Sequence, residues 1–134
     1  MSTETSIFTK IIAGEIPGFV PYQDETVAVL VSLEGHLLVV PKIVYRDIHD
    51  IPEDVAAHIM QVATKIAKIL PDITGCSGIN LVQSNGSDAG QDVFHFHLHI
   101  KPRFPNDNVT LSWDTSTQPT EVREALAQAI TASI

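Results

Sequence analysis

Phe94-His95-Phe96-His97-Leu98-His99-Ile100 is the stretch that decides how this chain is read. Side chains that follow one another along a β-strand point to opposite faces. A strand over residues 93–101 therefore places His95, His97 and His99 on one face, with neighbours about 7 Å apart. Phe94, Phe96, Leu98 and Ile100 form the other face, which is apolar enough to be core. Histidine has an ordinary pKa of about 6.5, so near neutral pH one neutral ring can attack phosphorus while another donates to phosphate oxygens. Just ahead lies Asn85-Gly86-Ser87-Asp88-Ala89-Gly90-Gln91, rich in turn-forming residues. Backbone N–H groups at Gly86, Gly90 and Gln91 are expected to cradle an anion there. If the strand is regular, alternation puts Asp92 on the face away from the histidines and residue 93 on theirs.

On residues alone, four readings of the histidines stand. They are a polar strand surface, an H-x-H metal site, a phosphate site with chemistry, or a nucleotide site without efficient turnover. The phosphate site with chemistry accounts best for strand and loop together. A metal would want further ligands, and neither a cysteine pair nor H-E-x-x-H stands elsewhere.

Outward from this segment, Ser6 is placed to cap a short helix, Ile7 to Ala13, which Gly14 ends. Val27–Val31 and Leu37–Val40 read as a β-hairpin across Glu34-Gly35. Asp50-Ile51-Pro52-Glu53-Asp54 reads as a helix start with Asp50 as cap candidate. Val55, Ile59, Val62, Ile66 and Ile69 make one apolar helical stripe, Lys65 and Lys68 fall near its end, and Pro71 stops it. Residues 78–84 read as another strand. Residues 121–130, after Pro119, read as a C-terminal helix, and Trp113 as a hydrophobic anchor. His49, His58 and Cys76 carry no assigned chemistry. This order argues for an α+β domain with a mainly antiparallel sheet, a long helix and shorter terminal helices.

Composition sets the boundaries. The chain has 134 residues, 44% hydrophobic and 18% charged, which suits one folded domain. Its net charge of −8 argues against general DNA or RNA binding, while a local site for a small anion remains compatible. The lone Cys76 makes no internal disulfide. No apolar run reaches bilayer-spanning length, and MSTETS lacks a signal-peptide pattern. The expectation is a cytoplasmic protein without membrane partners.

The stretch Gly90–Lys101 resembles the signature of the histidine triad (HIT) family, histidine-apolar-histidine-apolar-histidine-apolar-apolar, departing only at Lys101. Ile7-Phe8 with the run from Lys10 to Pro17, the run from Gly35 to Lys42, and Asn85-Gly86 with Ala89-Gly90-Gln91 extend the resemblance. It covers residues 1–104, leaving 105–134 as a C-terminal tail and helix of a single HIT-like domain. The resemblance implies that His97 is the nucleophile, forming a covalent nucleotidyl-histidine on a phosphoramidate or dinucleoside polyphosphate. His99 would stabilise phosphoryl charge, His95 would hold its neighbours' rings, and His36 would stand near the phosphate. Phe8, Ile11 and Ile16 would line a nucleoside pocket, although core packing explains the same residues. No cofactor is implied, and the partners would be a small-molecule nucleotide conjugate and a second copy of the chain in a homodimer.

Three departures qualify the resemblance. Many bacterial members bind structural zinc through C-x-x-C, a later histidine and the first triad histidine. The matching positions here read Ser6, Thr9 and Val44, so no zinc is expected. Ser32 stands where an aspartate grips the ribose, on a loop several residues shorter. Ser84 stands where the family often has Asn or Gln to contact phosphate; like Gln91 it remains a candidate substrate contact. The alternative is thus an interaction module that binds nucleotides or anions, with little or no catalysis and an altered ribose site.

Overall fold

A computed structural model describes residues 4–134. The elements run α1 (Ile7–Ile12), β1 (Tyr22–Gln23), β2 (Val27–Val31), β3 (Leu37–Pro41), α2 (Glu53–Thr74), β4 (Gly78–Val82), β5 (Leu98–Arg103) and α3 (Thr120–Ser133), with a 3₁₀ turn at Ser87–Ala89 between β4 and β5. The strands form one antiparallel sheet in the order β1-β2-β3-β5-β4. The architecture is α+β, as the sequence pattern predicts.

Each face of the sheet has its own core. Val27, Val29, Val39, Phe96 and Ile100 point toward α2 and meet Ile59, Val62, Ala63 and Leu70. Ala28, Leu30, Leu38 and Val40 point the other way, onto Phe8, with Ile11, Ile12, Val20 and Val93 around them. The period of two in the strands thus separates an α2 layer from an α1 layer, and both sides of β2 and β3 are buried.

Two helix boundaries differ from the sequence reading. Pro71 does not stop α2; the helix continues to Thr74 and ends at Gly75, whose φ of 75° is left-handed. Proline lacks an N–H, so only the bond back to Ala67 is lost there. The last turn closes through Gly75 N–H on the Pro71 carbonyl and Thr74 Oγ1 on that of Leu70. Lys65 and Lys68 therefore sit mid-helix, and the last turn holds no basic residue. At the other end Pro52 is the N-cap. Asp50 instead accepts from the backbone N–H groups of Arg46 and Asp47, closing the preceding turn.

The histidine segment departs most. Only residues 98–103 are strand, and residues 93–95 bend. The β3–β5 ladder ends at Val39↔Leu98. Two residues further, Pro41 would stand opposite Phe96, and proline has no N–H to give. The Phe96 N–H turns instead to the Tyr45 carbonyl at 2.7 Å. Side chains still alternate from His95 onward, with the three histidines on the α1 side and Phe96, Leu98 and Ile100 in the α2 core. Phe94 leaves that core, partly exposed, with the Arg46 guanidinium 4.4 Å over its ring.

Candidate active site

The α1 side of the sheet carries a cleft of about 750 Å³, a volume suited to a small-molecule ligand. His97, His99 and His36 form one end of it, and Asp92 and Val93 lie on the segment leading into them. Phe8, Ile11, Leu30 and Leu38 make its floor. Phe19 and Leu33 stand at the outer lip, 75% and 104% exposed. No lysine or arginine lines the cleft among the described residues, while Glu34 and Asp92 do.

Hydrogen bonding assigns the ring protons. His97 Nδ1 lies 2.7 Å from the His95 carbonyl, which can only accept, so Nδ1 carries the proton. His97 Nε2 then bears the lone pair of the neutral ring, and the ring borders the cleft. His95 Nε2 lies 2.7 Å from the Pro41 carbonyl and must donate to it. His95 Nδ1 is thereby an acceptor, taking the Ser6 hydroxyl proton at 2.6 Å. That hydroxyl also accepts from the Phe8 and Thr9 N–H groups, so the residue that caps α1 also fixes the tautomer of a fully buried histidine.

His99 Nδ1 lies 2.8 Å from His36 Nε2. His36 Nδ1 is buried without a partner. An orphan buried N–H is rarer than an orphan acceptor, so the His36 proton belongs on Nε2, donated to His99. The proton of a neutral His99 is then on its own Nε2. Burial, with the neighbouring His97 and His36 rings, pushes His99 down to about 4. Burial also lowers His95 and His36; the Pro41 carbonyl partly offsets this for His95, and Lys101 adds to it for His36. At neutral pH His99 is thus an uncharged donor. The rings pack edge to face: His97 on His99 at 5.0 Å between centroids, Phe8 on His97 at 5.1 Å.

A HIT domain family model matches residues 13–106. The chain belongs to the HIT domain family. It is 37% identical over 117 residues to "Protein hit" of Bacillus subtilis, covering 84% of this chain and 81% of the relative. It is 36% identical over 101 residues to an adenosine 5'-monophosphoramidase of Saccharomyces cerevisiae, covering 72% of this chain and 61% of the relative. A crystal structure of a HIT family member from B. subtilis superposes with a TM-score of 0.88 at 33% identity, covering 98% of both chains. The sheet and its helices are thus the HIT fold.

Within this HIT chain, the predicted site residues divide. The cleft brings together His97, His99, His36, Phe8, Ile11 and Ser32. Ile16 is half-buried outside its lining, where Pro17, Gly18 and Phe19 stand instead. Gly18 permits that wall: a Cβ there would lie 2.6 Å from Ile11 Cγ2. Ser84 lies outside the lining, its carbonyl accepting from Gln83 Nε2. The Gln91 side chain is buried within the loop, accepting from Gly86 N–H and donating to the Arg46 and Val93 carbonyls.

Three further expectations are corrected, and one that hung on a regular strand is decided. The anion cradle is not available as read: Gly86 N–H goes to Gln91 Oε1, Gly90 N–H to the Ser87 carbonyl and Gln91 N–H to the Gly86 carbonyl. His95 holds His97 through its backbone carbonyl, while its ring serves Ser6 and Pro41. Asp92 borders the cleft, because the chain bends where alternation assumed a strand, and its charge acts to raise the His99 pKa. Trp113 anchors nothing in its own chain, being 77% exposed.

At the positions matched to zinc ligands, Ser6 Oγ approaches Thr9 Oγ1 at 3.5 Å and His95 Nδ1 at 2.6 Å. Two neutral hydroxyls, one imidazole and Val44, which has no ligand atom, do not fit a zinc ion. The hydroxyl chain supplies the link between α1 and the triad. Ser32 closes the β2–β3 turn: its hydroxyl accepts from His36 N–H at 3.2 Å and its carbonyl from Gly35 N–H at 3.0 Å. Phe19, Leu33 and Asp92 were not legible as site residues. Leu33, an apolar residue in a polar turn, was the one local clue.

Proposed function

We propose that this chain is a hydrolase or nucleotidyl transferase acting on phosphoramidate or dinucleoside polyphosphate bonds. The observation that carries the reading is the pinned His97 tautomer, with Nδ1–H on the His95 carbonyl and the Nε2 lone pair left for attack. His97 Nε2 attacks the α-phosphorus, the bond to the leaving group breaks, and the leaving group takes a proton from solvent water. Water then attacks the same phosphorus, the P–N bond breaks, the nucleoside monophosphate leaves, the water's proton passes to solvent, and the neutral ring is regenerated. His99 Nε2–H donates to a phosphoryl oxygen as charge develops there. The adenosine phosphoramidase activity named for the yeast relative supports this substrate class. His97→Ala tests it with adenosine 5'-phosphoramidate: turnover should disappear, and activity that survives removes His97 from the nucleophile role.

A second reading is a nucleotide-binding module with little turnover. It is favoured by Ser32, whose hydroxyl is engaged in the turn and offers no carboxylate to ribose hydroxyls. Calorimetry with AMP decides between them: micromolar binding without turnover on any phosphate conjugate selects the module.

The active species we propose is a homodimer. Strand β4 lies at an open sheet edge, and Met60, Ile69 and Ile73 of α2 and Leu81 of β4 are exposed apolar side chains.

A further inference from the structure

We propose that Lys101 is a specificity residue that favours an anionic leaving group, which narrows the substrate class to dinucleoside polyphosphates. The inference rests on the nucleotidyl-hydrolase reading and names which of its bonds the site prefers.

Lys101 is the one departure from the triad signature, a cation in an apolar position. Register sets its place. Along β5, Leu98 and Ile100 pack in the α2 core and His99 faces the cleft. Lys101 therefore follows His99 on the cleft side, about 7 Å along the strand. Leu37 pairs with Ile100 and Leu38 with His99, so the next step of that register sets His36 opposite Lys101. The charge on Lys101 acts on both rings, helping to hold His36 and His99 neutral.

This cation is free. Arg103, the next residue on the same face, is engaged: it donates to Asn80 Oδ1 at 2.8 Å, to both Asp107 carboxylate oxygens and to the Val109 carbonyl. Lys101 makes no hydrogen bond or ion pair among the described residues. It is half-buried and lines a hollow of about 200 Å³ with Glu34, His36, Phe104 and Asp107. That hollow adjoins the cleft, because Glu34 and His36 wall both. Asp107 is neutralised by Arg103, so exposed Glu34 is the acid that remains. A hollow of this size is too small for a whole ligand and large enough for the end of one.

The direction of departure leads there. In an in-line displacement the leaving group lies across the phosphorus from the attacking atom. A phosphoryl group held between His97 Nε2 and His99 Nε2–H turns its far side along the strand, toward Lys101. As the P–N bond forms, the bridging P–O bond breaks and its electron pair leaves on the polyphosphate oxygen, which then takes its proton from solvent. An ammonium on that side stabilises the charge where it develops. Ammonia leaving a phosphoramidate carries no negative charge and gains nothing from it.

The test measures kcat/KM for diadenosine tetraphosphate and for adenosine 5'-phosphoramidate, and reads their ratio. Any effect of Lys101 on the histidines alone moves both substrates and leaves the ratio. Lys101→Met should lower the ratio about 10- to 100-fold, the scale of one hydrogen bond to a charged group. Lys101→Gln should do the same, and Lys101→Arg should keep most of it. A ratio unchanged by both neutral variants overturns the proposal, as does an equal fall on both substrates. If the wild-type chain turns over neither substrate, the hydrolase reading fails, and calorimetry with AMP and ADP decides the role of Lys101 separately. Tighter binding of ADP than of AMP, lost in Lys101→Met, supports the anion contact. Equal binding of the two by the wild-type chain overturns it.

Discussion

The two ends of the cleft are built by different rules. At the histidine end each ring has its proton placed by a partner: His95 by Pro41 and Ser6, His97 by the His95 carbonyl, His99 by His36. At the other end Phe8, Ile11, Phe19 and Leu33 offer shape and apolar area, and the hydroxyl of Ser32 is already engaged in its turn. Chemistry on a phosphoryl group needs atoms held to a fraction of an ångström, which directional bonds to backbone achieve. Retaining an aromatic or apolar group needs only a dry surface. On the proposed function, rate would be controlled at the first end and affinity at the second.

Substitutions can break that comparison, and the largest effect belongs to His97. His97→Ala should lower kcat/KM by about a thousandfold or more, the scale of losing a nucleophile. His36→Ala comes next. It leaves His99 Nδ1 without its donor, so kcat should fall about 10- to 100-fold with little change in KM, as for other residues that orient a functional group. His36→Gln, which keeps an N–H donor, should recover part of the loss; a KM effect alone would make His36 a plain wall of the cleft. Phe19→Ala tests the opposite end, raising KM about 10-fold with kcat nearly unchanged.

Two stability measurements sharpen the same contrast. The folded chain favours neutral His99, at about 4 against an ordinary 6.5. Between those values the unfolded chain binds more protons, so stability is full above about pH 6.5 and declines as the pH falls toward 4. His95 and His36, also lowered, act with the same sign. His58, raised by Asp24 on the other side of the sheet, acts with the opposite sign. Melting temperatures recorded from pH 7.5 to pH 5 should therefore fall, and His99→Gln should flatten the decline. The smallest effect is that of Ser6→Ala, about 1 kcal/mol from the lost cap, read by urea unfolding. It also strips His95 Nδ1 of its donor, so a parallel fall in kcat would tie the cap to the chemistry.

Much of this was legible in one dimension. The stripe of α2, the β2–β3 hairpin and the Ser6 cap follow from spacings of a few residues, and local periodicity fixes which side chains share a face. So did the grouping of the three histidines, because alternation of side chains survives even where the strand does not. The failures share a cause. Gly86, Gly90 and Gln91 looked like free donors because their acceptors lie across the loop. The side of Asp92 depended on whether the strand is regular before His95, and the ladder ends at Val39↔Leu98, an antiparallel register that no single stretch of sequence reveals.

Sequence by itself therefore determined the class of fold, the order of the histidines and the family, since residue type and local period are written along the chain. Only the tertiary structure decided which ring nitrogen is free, that Ser6 secures the first histidine, and that α3 is exposed along its length. Each of those depends on atoms far apart in sequence: Ser6 and His95 are 89 residues apart, and His36 and His99 are 63 apart. A hydrogen bond is specified by where its acceptor stands, and the fold sets that position.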